Sequence, residues 1–327
     1  MALNNFYRSE YEDKMQFIEN ESITSTIFKD GFNFISALYK FEDVYFCKKT
    51  QRIFLRNNSG YVNIFDNSDY VEPNYFEIIN DFKNNLGLCF CSTPSNYFHL
   101  IFELLFSIFK FKNCNINNIF YKEVNIDSFN GLASKIILAP QNIGDKVYIA
   151  NAYVPYYQIY FNNLNEKDQW QKIAYSSIFI RDLRSHFEFL QESGGNRKIF
   201  ISRSDSSFRK LINYEEVKEL LELHGYEEIN MVGLSIDDQA RIINSAARVV
   251  AVHGAANTNF VFANRDVKIL ELFNEVYAPS IFQIISEITH ISYDKLSFPD
   301  TDLEEDKFKK NIFVNLELLK RYLEINL

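Results

Sequence analysis

The sequence predicts a mixed α/β chain of two domains, the second built on a doubly wound parallel sheet. Its 327 residues fit two domains of about 100–200 residues each. Apolar residues make up 47% and charged residues 24%, an ordinary balance for a globular protein with a core large enough to offset the entropy of ordering. From Lys198 to Leu272, apolar and β-branched runs alternate with capped helical patterns, the signature of strand–helix–strand winding. Only 10 Gly and 6 Pro argue against low-complexity linkers and Gly-rich loop arrays.

In the first half, Asp43-Val44-Tyr45-Phe46-Cys47 and Gln51-Arg52-Ile53-Phe54-Leu55 read as strands joined by the polar turn Lys48-Lys49-Thr50. Leu86-Gly87-Leu88-Cys89-Phe90 is a further strand, followed by the turn cluster Ser92-Thr93-Pro94-Ser95-Asn96, which suits a helix start. Tyr97 to Lys110 is apolar at nearly every position, so that helix is expected to be buried on most sides. Ile136-Ile137-Leu138-Ala139 and Val147-Tyr148-Ile149-Ala150 read as two more strands. Polar residues from Asn162 to Gln171 mark the inter-domain region, giving an N-terminal α/β domain over 1–172.

The second half, a domain over 173–304, is better punctuated. Lys198-Ile199-Phe200-Ile201-Ser202 is a buried strand entered through Gly194-Gly195. Asn213 and Glu216 match a capping box, opening a helix that stops at Gly225. Tyr226 to Val232 follows as a strand. Ser235 and Asp238 form a second cap, ahead of a helix with Ala240, Ile243 and Ala247 on its apolar stripe. Arg248-Val249-Val250-Ala251-Val252 has the continuous β-branched character of a parallel strand covered on both faces. A small-residue loop, a short helix and the strand Val267-Lys268-Ile269-Leu270-Glu271-Leu272 complete the pattern. From Glu305 to Leu327, the apolar positions Phe308, Ile312, Phe313, Leu316, Leu319 and Leu323 predict an amphipathic closing helix.

A net charge of −9 and a pI of about 5.2 give no bulk attraction to nucleic acid, and no nucleic-acid partner is expected. Binding a phosphorylated ligand would require a local positive site built from a few arginines and helix N-termini. Cys47, Cys89, Cys91 and Cys114 match no common zinc spacing and read as buried free thiols in a reducing compartment. The opening Met1-Ala2-Leu3-Asn4-Asn5 has no basic segment leading into an apolar run, and Tyr97 to Phe109 is too short to span a bilayer. The expectation is a cytoplasmic protein.

Three features carry chemistry. His253-Gly254-Ala255-Ala256-Asn257-Thr258-Asn259 follows a buried strand. In a parallel sheet, ligands bind at the carboxyl ends of strands, and small residues let backbone N–H groups approach an anion. The same residues also fit a tight turn beside a satisfied buried histidine. Ser202-Arg203 ends an earlier strand at the same sheet edge, where Arg203 and Arg209 suit a phosphate or, alternatively, surface ion pairs. Glu271 lies within an apolar strand, where a carboxylate is costly unless paired or facing a ligand, and its place near the strand end suits a ribose diol. In the first half, His99 and Glu103 stand at i, i+4 and share a helical face. The carboxylate there orients a general base or merely satisfies a polar pair. Asp300-Thr301-Asp302 fits a DxD pattern but sits in a polar run that reads as a solvated cap. No GxGxxG, P-loop, GxSxG or HExxH is present.

Together these pieces resemble glycosyltransferase family 61 over roughly Asn96 to Glu271. The resemblance rests on Asn96-Tyr97-Phe98-His99 with Glu103, Ile201-Ser202-Arg203, and Arg209 with Ile212-Asn213-Tyr214-Glu215-Glu216. It continues through Leu234-Ser235, Asp238-Gln239, Ala246-Ala247, His253-Gly254-Ala255 with Asn257 and Asn259, and Ile269-Leu270-Glu271-Leu272. Ala256 departs from a glycine frequent in such loops, and the first 90 residues match no recognisable pattern.

The resemblance implies a GT-B architecture, two Rossmann-like domains facing across a cleft, with the last helix crossing back onto the first domain. It implies an inverting glycosyltransferase, independent of metal and using a nucleotide-diphospho-sugar, UDP-sugars foremost. Arg203, Arg209, His253, Gly254, Ala255, Ala256, Asn257, Asn259 and Glu271 would bind the donor. Asn96 and Tyr97 would lie on the acceptor side. His99 would be the base oriented by Glu103, or Glu103 the base itself. The expected acceptor is an oligosaccharide or lipid-linked glycan of capsule or lipopolysaccharide synthesis, the latter bringing the protein to the inner membrane face. The alternative is a non-catalytic nucleotide-sugar-binding relative.

Overall fold

A computed structural model describes residues 15–25, 32–49, 52–57, 60–63, 70–71, 81–89, 96–121, 142–161, 177–191 and 195–326. The predicted turn at 92–95, the strand at 136–139, the polar stretch at 162–171, Cys91 and Gly194 lie outside the described residues. The chain divides into two compact units. One comprises Met1–Pro94, His99–Val124 and Ile137–Ser176, the other Ser95–Phe98, Asn125–Ile136 and Ser177–Leu327.

The first unit is built on an eight-stranded sheet. Its strands are β1 (Met15–Ser25), β2 (Phe32–Cys47), β3 (Arg52–Asn57), β4 (Gly60–Asn63), β5 (Tyr70–Val71), β6 (Asp81–Leu88), β7 (Ile119–Phe120) and β8 (Lys146–Phe161). Their order is β5-β4-β3-β2-β8-β6-β7, with β1 also on β2. The two strands expected at 43–47 and 147–150 are the ends of the 16-residue β2 and β8. These pair antiparallel along their length, and β1 and β3 divide the other edge of β2 between them. Asp43, at φ 54, switches the alternation, so that Tyr39 and Phe41 before it and Val44 and Phe46 after it are all buried.

Among the described residues of this unit, parallel pairing is confined to β6 with β7 and β8. The crossover between β6 and β7 is a continuous helical run: an α-turn at Tyr97–His99, a π-helix at Leu100–Leu105 and α1 at Phe106–Asn113. The Rossmann-like expectation for this half therefore holds only at that edge, because β1 to β5 pair antiparallel. The helical run is buried at every position from Leu100 to Phe111, as its near-continuous apolar sequence requires.

The second unit contains α2 (Ser177–Ser185), β9 (Arg197–Ile201), α3 (Tyr214–Leu223), β10 (Glu227–Glu228), α4 (Ile236–Asn244) and β11 (Ala246–Val252). These are followed by a 3-10 helix (Ala255–Phe262), β12 (Lys268–Asn274), α5 (Ile281–Thr289), β13 (Ser292–Phe298) and α6 (Leu316–Asn326). All pairs in the sheet β10-β9-β11-β12-β13 are parallel, giving the doubly wound domain the sequence predicts. Phe200, Val250, Val252, Leu270 and Leu272 form one face of its core with Val217, Leu221, Leu319 and Leu323.

Four local expectations change. The strand at 226–232 shrinks to two paired residues, because the chain turns at Asn230, whose Oδ1 accepts from Val232 N at 2.9 Å. The Ser235 cap forms, with Asp238 N donating to Ser235 Oγ at 3.1 Å. The Asn213 cap does not, because that side chain bonds both the N–H and the carbonyl of Val314, at 3.0 and 2.9 Å. Ala247 belongs to β11 and not to the preceding helix. The closing helix begins only at Leu316, and it buries Leu319 and Leu323 in the second unit's own core. Residues 309–314 are held against 209–213 by backbone bonds such as Ile212 N to Ile312 O at 2.8 Å.

Candidate functional site

The winding of the second sheet places its switch point between β9 and β11. From β9 the chain moves to β10 on one side, then returns to β11 on the other. In such sheets the crevice at the carboxyl ends of these two strands is the ligand position. Arg203 follows β9, and His253-Gly254 follows β11.

Gly254 is extended, with φ 179, so its backbone would tolerate any residue. The reason for glycine is steric: a Cβ there would lie 1.7 Å from Nη1 of Arg203. The guanidinium rests directly on the loop backbone. Arg203 and Arg209 both adopt left-handed backbone, φ 58 and 57, a strain of about 1–2 kcal/mol each that the surrounding structure must hold. Arg203 Nη2 donates to Ser206 Oγ at 2.7 Å and to the Phe208 carbonyl at 3.3 Å. Arg209 Nη1 donates to the Phe308 carbonyl at 3.0 Å. The Phe208 ring lies 6.0 Å from one guanidinium and 5.1 Å from the other.

Both Nε atoms are buried without a partner, and among the described residues neither arginine forms a salt bridge. Burial, followed by the charge of Arg209, brings the Arg203 guanidinium down to about 10, with Asp205 offsetting part of this. Burial also lowers Arg209. Two like charges held together this way favour an incoming anion.

Next to them, His253 Nδ1 lies 2.6 Å from Glu271 Oε1. The same oxygen accepts from Asn257 Nδ2 at 2.8 Å, and Glu271 Oε2 accepts from the Tyr293 hydroxyl. Glu271 is 0% exposed. Held by three protein donors, it is turned toward His253, Asn257 and Tyr293, where the sequence suggested a ribose diol, and it anchors the histidine. The imidazole stacks on Phe273, centroids 4.9 Å apart, and meets Tyr277 and Phe282 at 5.6 Å each. Burial lowers the His253 pKa below its usual value; Glu271 opposes this, and Arg209 and Arg203 reinforce it.

Asn257 and Asn259 are fully buried and tie the loop instead of lining it. Asn257 Nδ2 also reaches the Val252 carbonyl at 3.2 Å. Asn259 Nδ2 donates to Gln239 Oε1 at 2.7 Å and to the Ala256 carbonyl at 3.0 Å, while its Oδ1 accepts from the Tyr97 hydroxyl at 3.0 Å. Tyr97 is thus bonded to the loop it was expected to oppose, and Asn96 Oδ1 accepts from Phe98 N at 3.0 Å to start the helical run. Ala255 and Ala256 open the 3-10 helix.

In the first unit, His99 Nδ1 lies 2.7 Å from Glu103 Oε1, with side-chain exposures of 22% and 7%. The sequence indicated the pair but not the π-helix that carries Glu103, an irregularity frequent at functional positions. A carboxylate held against one ring nitrogen fixes the orientation of the imidazole, as a general base requires.

Sequence reasoning also missed the role of the tail, which fixes Arg209 from about 100 residues away through Phe308. It missed Tyr293, and Glu228, which accepts from Ser202 and from Tyr214 at 2.7 Å. No short-range signal marks any of these. Asp300 accepts from Asn274 at 3.0 Å and pairs with Lys310 at 2.7 Å, while Asp302 accepts from Asn311 N at 2.6 Å. This acidic turn is internally satisfied. Among the described residues no group of three or more His, Cys, Asp or Glu is placed to hold a metal ion, and no helix is long and apolar enough to cross a membrane.

The family model described as Glycosyltransferase 61 matches residues 97–270, a span that holds the His99–Glu103 pair, Arg203, Arg209 and the 253–259 loop. Among curated proteins, a beta-1,2-xylosyltransferase of Oryza sativa subsp. japonica is 27% identical over 161 residues. That alignment covers 42% of this chain and 30% of the relative's length.

Proposed function

Because the chain belongs to glycosyltransferase family 61, we propose that it transfers a sugar from a nucleotide-diphosphate donor to a hydroxyl of a glycan acceptor, with inversion. The observation that carries the reading is the half-buried pair Arg203 and Arg209 at the switch point, with buried Nε atoms, without a salt-bridge partner among the described residues and with Gly254 cleared for the first of them. Departure of a diphosphate develops negative charge, and preorganised cations in a partly desolvated site stabilise it.

In the proposed step the acceptor oxygen forms a bond to the anomeric carbon as the bond from that carbon to the diphosphate oxygen breaks. The hydroxyl proton passes to the base, His99 held by Glu103, or Glu103 itself. No metal is assigned a part. The rest of the proposal follows the family resemblance: a GT-B arrangement, a UDP-sugar donor, and a cytoplasmic role in bacterial capsule or lipopolysaccharide synthesis with a lipid-linked acceptor at the inner membrane face. Similarity to a rice xylosyltransferase makes a nucleotide-xylose one donor to include.

The test is donor hydrolysis and thermal stabilisation across a panel of nucleotide-sugars, each with and without EDTA. Selective, EDTA-resistant turnover of one UDP-sugar is the expected result. Stabilisation without turnover, with any acceptor glycan supplied, would favour a nucleotide-sugar-binding relative. A strict need for manganese would return attention to Asp300 and Asp302.

A further inference from the structure

We propose that His253 binds the donor's diphosphate by taking up a proton: as the anion enters, Nε2 is protonated from solvent and donates a hydrogen bond to a phosphate oxygen, while Glu271 keeps hold of Nδ1–H. This deepens the donor-site reading and rests on it.

The geometry separates the two ring nitrogens. Nδ1 is committed to Glu271 Oε1 at 2.6 Å, and Glu271 is itself fixed by Asn257 and Tyr293. The ring is clamped by Phe273, Tyr277 and Phe282. Among the described residues Nε2 has no bonding partner, and it is not one of the buried orphan atoms. The residue after His253 carries the Arg203 guanidinium against its backbone, and Tyr277 has His253 at 5.6 Å and the Arg209 guanidinium at 5.6 Å. The ring that carries the unpartnered nitrogen is therefore close enough to both arginines to feel their charge.

Charge then decides the protonation state. The groups facing the imidazole are Glu271 from β12, Arg203 from the loop after β9, Arg209 from the segment before α3, and Tyr277 from the turn after β12. Tyr293 acts through Glu271. In the free protein, burial and two cations keep the ring neutral, with a lone pair on Nε2 that repels a phosphate. A bound diphosphate neutralises the arginines, leaving Glu271 and the anion on either side of the ring. Both favour the imidazolium. The proton comes from solvent, no covalent bond changes, and Glu271 acts as a positioning residue.

The experiment is ¹⁵N NMR of histidine-labelled full-length chain from pH 6 to 8, with UDP as titrant and His253→Gln to assign the resonances. The expected result is a neutral Nδ1–H ring in the free protein that becomes doubly protonated at saturating UDP. The Glu271→Gln variant should bind UDP roughly tenfold more weakly at pH 7, equivalent to about one pKa unit of lost coupling, and its His253 should stay neutral. A His253 that stays neutral while UDP saturates, or that is already doubly protonated without UDP, overturns the proposal and leaves the donor site standing. Absence of saturable UDP binding across the range removes the donor-site reading, and this inference with it.

Discussion

The molecule holds two histidine–glutamate pairs of nearly the same length and opposite character. His99 and Glu103 sit four residues apart on one helical run of the first unit, 2.7 Å apart, with the imidazole partly exposed. His253, in the loop just after β11, and Glu271, on β12, lie 2.6 Å apart in the second unit, both buried. A local pair of this kind needs only helical geometry to set the orientation of the ring. The long-range pair needs two parallel strands in register, Ala251 opposite Glu271, and it sits in a recess with two cations. The chemistry of a His–Glu pair is set by its surroundings: under the proposed function the first would serve as an acceptor-side base and the second as a donor-side clamp.

The largest effect that could break this comparison is on turnover. His99→Ala is expected to lower transfer about 10²–10⁴-fold, the usual worth of a positioned base, with UDP affinity unchanged by calorimetry. If turnover survives in both His99→Ala and Glu103→Gln, the first pair is structural. Glu271→Ala should instead act on stability. It leaves donors on His253, Asn257 and Tyr293 without their acceptor, a loss of about 3 kcal/mol or more, visible as a lower midpoint in urea. Unchanged stability there would mean that the buried pair is not an anchor.

Arg203→Ala should weaken UDP binding by about 1.5–3 kcal/mol through lost charge-assisted bonds, with the fold intact, because it also relieves repulsion from Arg209. Gly254→Ala should mimic part of this loss, since its methyl group and the guanidinium cannot share the position. Equal UDP affinity in all three proteins would take Arg203 out of the site.

The smallest effect concerns pH. Burial pushes the Glu228 carboxyl up, but hydrogen bonds from Ser202, Tyr214 and Lys218 outweigh it and hold the group below its ordinary value. A depressed folded-state value means that its contribution is complete above about 4.5, the unfolded value, and is lost as pH falls through the folded one. Solvent screening keeps it below about 1 kcal/mol. Glu228→Gln should flatten that part of the acid limb in a stability–pH profile, and an unaltered limb would assign acid sensitivity elsewhere.

Much of the second unit was legible in its sequence. β11 and β12 announced themselves by β-branched runs, and the Ser235 cap by a serine–aspartate spacing that the structure satisfies at 3.1 Å. The Asn213 cap was misread because its amide had a better partner in Val314. The first unit was harder to read, since the lengths of β2 and β8 depend on mutual pairing along both edges and not on any local alternation.

The sequence by itself determined the local periods: which segments wind as helices, which run as buried parallel strands, and that a His-Gly-Ala turn follows one of them. It also determined the His99–Glu103 pair, because four residues is one helical turn. Tertiary structure alone decided the sheet order that puts the switch point between β9 and β11, the Arg203 contact that demands Gly254, the tail's hold on Arg209 and the anchoring role of Glu271. The division has a physical cause. Propensity and periodicity act over a few residues, whereas a buried charge is defined by whichever distant groups the fold brings to satisfy it.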